Sequence, residues 1–267
     1  MSQLFEDNAF PTTREQLLGH LTDMILDGRI LGGQKIASER KLAVASGLSR
    51  PVVREVLGTL QARGLIVTQP GKGAYVLPPD SVNMTGSLDN LARSEGATPR
   101  DLIEARAALE EHIAQLAAVR RTSEELDNLA ALSQAFIRAD NVIDRARCDL
   151  AFHGLLARSA HNPVLETMFR SIMPLVFVQQ LRSLDDPTIL ATGAPLHEVL
   201  VDALRRNDAA DAGRAARQHV ELASEMFGDD LAKTLDSIAR RKVAALLGES
   251  IQLDYVIRQV LQDIPVP

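Results

Sequence analysis

Apolar residues recur at helical spacing through most of this chain, and the interruptions are short. Leu17, Leu18, Leu21, Met24 and Ile25 lie on one side of residues 13–27, which predicts an amphipathic helix closed by Gly28, Gly32 and Gly33. Ser38 then offers an N-cap, Leu42, Ala43 and Ala45 an apolar side, and Gly47 a permissive turn with Leu48 beneath it. Ser49 is placed to cap the next helix, with Pro51 just inside its start, where a missing N–H costs nothing. Val52, Val53, Val56, Leu57 and Leu60 carry that helix's apolar stripe. After Gly64 the period changes. Residues 65–67 and 74–76 read as strands joined by the turn segment Gln69-Pro70-Gly71-Lys72-Gly73. Helix, glycine turn, helix and hairpin predict a winged helix-turn-helix within residues 1–78, with the 13–27 helix beneath it and residues 1–11 as a loose tail.

The pattern weakens over residues 79–98, which predicts a linker with one short helical turn near residues 88–91. From Pro99 the helical period returns and no strand pattern interrupts it. About six helices are expected over residues 99–228, separated at Thr122-Ser123, Asp140-Asn141, His161-Asn162-Pro163, Asp185-Asp186-Pro187 and Asn207-Asp208. Residues 229–267 form a tail with apolar spacing for two more helices, which could pack on the bundle or on a partner. The expected fold is mainly α: a winged N-terminal domain followed by an all-helical bundle.

Composition changes the picture only when divided. The whole chain carries a formal charge of −6, yet residues 1–78 carry 9 Lys and Arg against 7 Asp and Glu, while residues 79–267 are strongly acidic. The N-terminal part therefore suits phosphate and the remainder does not. Aromatic residues are 3% of the chain with no Trp, which argues against single-strand binding by base stacking. The lone Cys148 excludes an intrachain disulfide framework and fits a reducing cytoplasm. No apolar run approaches the ~20 residues that span a bilayer, so no membrane role is expected.

Candidate chemistry falls in two places. In the winged segment Arg50 and Arg54 lie four apart and share a helix face. A helix fits the major groove of duplex DNA, where arginine pairs in bidentate fashion with guanine, and a Gly71-Lys72 wing tip can approach phosphates closely. In the bundle, Asp149 and His153 also lie four apart. His197, read as opening its helix, shares a face with Val201 and Leu204, and His219 sits among Ala215, Ala216, Leu222, Ala223 and Met226. Three imidazoles and a carboxylate on inward-facing stripes suit a divalent metal, zinc first, with nickel, manganese, cobalt and iron as alternatives. On spacing alone, a hydrogen-bonded histidine core accounts for them equally well. Arg106 shares the face of Leu102, Leu109 and Ile113, and so needs an inward anion. That anion is either Glu110 or Glu104, or the carboxylate of a small metabolite. Cys148 reads as a small core residue, and His112 and His161 as structural or surface residues.

The segments SERKLA, SRPVVREVLGTLQARGLI and PGKGAYV resemble the DNA-binding half of the GntR family of bacterial transcription regulators. The resemblance implies operator contacts from Arg40, Arg50 and Arg54, with Ser49, Gly71 and Lys72 beside them. Ala37 departs from it, since the family usually has proline before the SER segment. Residues 99–227 resemble the FCD ligand-binding domain of the FadR-like branch. That likeness implies Asp149, His153, His197 and His219 as metal ligands, and Arg106 in Glu104-Ala-Arg-Ala-Ala-Leu-Glu110 as an effector contact, with Asn162 near the pocket. It further implies a cytoplasmic homodimer on a near-palindromic operator, most simply a repressor relieved by a hydroxy acid or sugar acid. The rival readings are a metal-dependent enzyme acting on a small organic acid, and a DNA-binding dimer without an effector. A tail beyond residue 228 has no counterpart in the resemblance.

Overall fold

A computed structural model describes residues 11–69, 71–77, 92, 95–183, 187–248 and 253–262. The chain divides by its own contacts into two compact units, residues 1–84 and 85–267.

The first unit contains α1 (Arg14–Leu26), α2 (Glu39–Ser46), α3 (Arg50–Ala62), β1 (Ile66–Gln69) and β2 (Gly73–Val76). A capping box opens α1: Thr13 accepts from the Gln16 amide while the Gln16 side chain returns to the Thr13 N–H. Ser38 caps α2 through the Lys41 amide. Gly47, at φ 70°, makes the left-handed turn into α3, a conformation in which a Cβ would be strained. Ser49 corrects the sequence reading, because it occupies the N-cap position of α3 without making a side-chain cap bond. Its hydroxyl stays exposed on the surface. Leu17, Leu21, Met24, Val53, Val56 and Leu60 form the core. The two strands are antiparallel, Ile66 facing Val76 and Gln69 facing Gly73. They run slightly longer towards the turn than the apolar pattern shows, because Thr68, Gln69 and Gly73 pair through their backbones. The outer edge of β2 is also paired. Gly33 and Ile36 donate to Val76 and Ala74 at 2.8 Å, and Val76 donates to Gln34 at 2.9 Å. That edge is covered by residues that read as loop in the sequence, so the wing is not left with an open strand.

The second unit contains α4 (Pro99–Arg120), α5 (Ser123–Arg138), α6 (Val142–Ser159), α7 (Pro163–Ser183), α8 (Pro187–Arg205) and α9 (Ala209–Phe227), followed by a 3-10 turn (Gly228–Ala232), α10 (Leu235–Leu247) and α11 (Leu253–Gln262). The expected short turn near residues 88–91 lies outside the described residues. Small residues let α4 and α9 approach closely: Ala114 and Ala117 share a core with Ala212, Ala215 and Ala216, Ala107 clusters with Val220, and a Cβ on Gly213 would meet the Gln115 side chain at 2.8 Å. The tail packs on the bundle. Both α10 and α11 lie against α7, burying Leu235, Ile238, Val243, Leu253 and Val260. This explains why residues 175–181 of α7 are buried on every side.

Asp101 closes a second capping box at the start of α4, accepting from the Thr98 hydroxyl at 2.6 Å and the Thr98 N–H at 2.9 Å. The Thr98 hydroxyl, then the Thr98 N–H, hold the Asp101 carboxyl below its ordinary range. A depressed carboxyl stabilises the fold above its unfolded pKa, about 3.9, and loses that contribution as pH falls through the folded value. Asp101→Asn is therefore expected to lower stability by about 1 kcal/mol at pH 7 and by progressively less as pH falls below about 4, as urea midpoints across that range would register.

Candidate metal centre and nucleic-acid face

Three helices bring the four residues of the second unit together. Asp149 and His153 project from α6, His197 from α8 and His219 from α9, and one ligand atom from each lies within 4.8 Å of all the others. The sequence expectation that His197 opens its helix is corrected: α8 begins at Pro187 and continues through Pro195. Proline lacks one N–H, but a helix held on its neighbours tolerates that loss.

The pocket is dry. Asp149, His153 and His197 are buried, and His219 is the least covered of the four. The Phe152 ring stacks on His197 at 4.3 Å between centroids, and Phe136 meets its edge at 5.1 Å. Asp149 Oδ1 stands 3.2 Å from His197 Nε2, and His153 Nε2 stands 3.1 Å from His219 Nε2. Two facing imidazole nitrogens can share only one proton, and His197 Nε2 meets only the Asp149 carboxylate, while its Nδ1 has no hydrogen-bond partner among the described residues. A divalent cation would take the converging lone pairs of the facing Nε2 atoms together with an Asp149 oxygen, so the donor set fits a metal.

Further residues hold the ligands in place. Glu110 Oε2 lies 2.6 Å from His153 Nδ1, the position that orients a metal-binding imidazole with its Nε2 free. Glu110 Oε1 in turn accepts from Arg106 Nε at 2.7 Å, and Arg106 Nη1 donates to Gln179 Oε1 at 3.1 Å. Gln180 Nε2 donates to Asp149 Oδ2. Burial pushes the Glu110 carboxyl up, but Arg106 and His153 outweigh it and leave it at about 2. Asp149 behaves alike: burial raises it, while His153 and His197 hold it well below the usual carboxylate range. Burial works against the His153 imidazolium, yet Glu110 and Asp149 raise it, whereas burial wins at His197 and drives His219 further down, helped there by the neighbouring imidazoles.

Of the two protein carboxylates expected as partners of Arg106, Glu110 is the one in contact, and Glu104 is exposed. Asn162 accepts from the amides of Val164 and Leu165 at the start of α7, which accounts for its residue type without a ligand. His161 is exposed and pairs with Glu125, His112 is exposed, and Cys148 is half-buried. Sequence reasoning missed Gln179 and Gln180. Their signal was two adjacent amides in the otherwise apolar run Leu175-Val-Phe-Val-Gln-Gln-Leu181, where buried amides need partners. A cleft of about 890 Å³ lies outside the cluster, lined by Arg100, Ile103, Glu104, Leu196, Gln218 and Leu222 among others, and by none of the four ligands.

In the first unit Arg40, Arg50 and Arg54 are all exposed. Arg54 Nε and Nη2 donate to the two oxygens of Glu39 at 3.1 and 3.0 Å, and Arg50 Nη2 stands 3.6 Å from the same carboxylate. Gly71, at φ 71°, and exposed Lys72 form the wing tip, closed by the Lys72 N–H on Gln69 O at 3.0 Å.

Two family models match the chain: bacterial regulatory proteins of the gntR family over residues 13–76, and the FCD domain over residues 101–222. The Glc operon transcriptional activator of Escherichia coli K12 is 30% identical over 216 residues, covering 77% of this chain and 85% of that protein. The HTH-type transcriptional repressor NanR of Escherichia coli K12 is 29% identical over 224 residues, 79% of this chain and 82% of that one. Among solved structures, Streptococcus agalactiae GntR aligns with a TM-score of 0.66 at 24% identity over 80% of this chain and all of that one, a likeness of fold.

Proposed function

Because the chain belongs to the GntR family of bacterial regulatory proteins, as a DNA-binding transcription regulator of the GntR/FCD type and not an enzyme, we propose that its helical unit senses a small carboxylate through a bound divalent metal. The observation behind this reading is the buried convergence of Asp149, His153, His197 and His219. Those four would hold the ion, which would supply Lewis-acid affinity for oxygen ligands. Charge supports an anionic effector. A divalent ion and Arg106 against Asp149 and Glu110 would leave one net positive charge in a buried site, which a single carboxylate neutralises. Arg106 lies one residue contact from the cluster, through Glu110, so a carboxylate that draws on its guanidinium disturbs the His153 support as well.

A single winged helix makes few base contacts, so a homodimer on a near-palindromic operator gives the discrimination a regulator needs. Arg40, Arg50 and Arg54 would read or grip the duplex, with Ser49, Gly71 and Lys72 on its backbone. Such a protein works beside the chromosome, in the cytoplasm, and among the described residues no helix is long and apolar enough to cross a membrane. By linkage, an effector that weakens operator binding must itself bind the DNA-bound form more weakly. The named relatives include an activator and a repressor, so the fold serves either sign.

The test is elemental analysis of the full-length protein purified without chelator, with thermal shifts against a panel of small hydroxy, keto and sugar acids. About one metal per chain is expected, with acid-dependent shifts that vanish after chelation. A metal-free protein that shifts with no acid, before or after metal is added back, would sink the reading.

A further inference from the structure

One carboxylate sits among the cations of the winged unit where simple electrostatics would exclude it. Residues 28–76 carry eight Lys and Arg and only two acidic residues, Glu39 and Glu55. Glu55 is drawn towards α1 by Arg14, at 3.2 Å. Glu39 faces the other way: from the first turn of α2 it bridges to α3, taking Arg54 through both Nε and Nη2 and standing 3.6 Å from Arg50 Nη2. Its side chain is 29% exposed, against 66% for Arg54 and 63% for Arg50. An exposed ion pair adds little to stability, and α2 is already fastened to α3 by the core, where Leu42, Val53 and Leu60 are buried. The carboxylate also works against attraction to phosphate. Neither stability nor general DNA affinity explains it.

The geometry of the guanidinium does. Glu39 occupies the Nε–Nη2 edge of Arg54. With that edge taken, the Nη1–Nη2 edge at the far end of the side chain is left to fork onto guanine O6 and N7. We infer that Glu39 is a positioning residue for sequence discrimination: it holds Arg54 extended in one rotamer for base reading, and its charge lowers affinity for DNA that offers phosphates alone. The hydrogen bond from Arg54 holds the Glu39 carboxyl below its ordinary value, so the pair is ionised at neutral pH. A fixed arm loses less freedom on docking than a mobile one, which sharpens the penalty for a wrong base. The inference rests on reading α3 as the helix that enters the groove, and the Arg54→Ala control separates the two.

The experiment uses the full-length protein and a randomised duplex library of about one turn per half-site on each side of a spacer. Wild-type protein selects a duplex, and binding to it and to a scrambled duplex of the same composition is then measured across a KCl series. Glu39→Gln, which keeps the size but not the charge, is expected to weaken the selected duplex about 10-fold and tighten the scrambled one about 3-fold. Glu39→Asp keeps the charge but cannot span both nitrogens, so it should lose discrimination without gaining scrambled-duplex affinity. A fresh selection with Glu39→Gln should lose base preference at the position that Arg54→Ala loses, and elsewhere keep it. Equal losses at every position, an unchanged ratio of the two affinities, or tighter binding to the selected duplex at constant ratio would each overturn the inference. If Arg54→Ala itself leaves selection untouched, the groove reading of α3 fails first.

Discussion

Arg54→Ala is expected to remove most of the preference for the operator while leaving the fold and general DNA affinity nearly unchanged. A bidentate arginine–guanine contact discriminates by about 1–3 kcal/mol, and a dimer loses one contact in each half-site, so the deficit is about 2–6 kcal/mol for the pair. In affinity that is roughly 30-fold to more than 10⁴-fold. A monomeric binder would show only half the free-energy loss, so the size of the effect also reports on dimeric binding. Stability should hardly move. The Arg54 side chain is 66% exposed, and its one described partner is Glu39. Removing such a surface arginine leaves the buried core untouched. On a scrambled duplex the loss of one cation should reduce the salt slope by about one unit per bound chain at most. The variant leaves Glu39 beside the groove with Arg50 at 3.6 Å as its remaining described cation, so part of the loss is repulsion. The double variant Arg54→Ala with Glu39→Gln separates that part, because the cycle compares each change in the presence and absence of the other. Undiminished preference for a selected duplex in Arg54→Ala would show that another residue reads the operator.

What the sequence disclosed follows from which signals are local. The Thr98, Thr122 and Asn141 caps announce their helices because a cap and the amide it satisfies lie three residues apart. The arginine pair of α3 and the Asp149–His153 pair of α6 were legible for the same reason, since an i,i+4 spacing fixes a shared face. The convergence of His197 and His219 onto that face was legible only as three inward stripes plus a resemblance, and a spatial meeting of helices is not written in any one of them. Partners across the fold were less visible still. Glu39 is 15 residues from Arg54, and Gln179 is 73 from Arg106. Nothing in either local pattern required those pairs. The tail is a similar case: its apolar faces were plain, but its seat on α7 became clear only from burial around residues 175–181. The third backbone segment beside β2 was hidden because residues 33–36 contribute amide and carbonyl groups, and periodicity reports side chains.

The second large effect concerns the cluster itself. His197→Gln is expected to cut bound metal from about one per chain to a small fraction, with loss of any metal-dependent thermal shift, while operator binding persists. The argument is one of donors. Two of the other three ligands come from a single helix and the third from α9, so His197 is the sole contribution of α8 and closes the set on that side. Glutamine keeps most of the volume between Phe136 and Phe152, so the variant tests the ligand rather than the packing, which His197→Ala would also disturb. Ligands that bind only the native state stabilise by about 2.7 kcal/mol at one hundred times their Kd, so the melting temperature of chelator-stripped wild-type protein should rise by several degrees when metal is returned and that of the variant should not. Operator binding should survive because the arginines proposed to read DNA belong to a unit with its own core, in which Met24, Val53 and Leu60 are buried. Loss of effector response together with retained duplex preference would mark His197 as part of a sensor. Unaltered metal content and an unaltered thermal shift would show that the ion, if the protein holds one, is bound elsewhere. Loss of duplex preference in step with unfolding of the bundle would show that the two units do not stand alone.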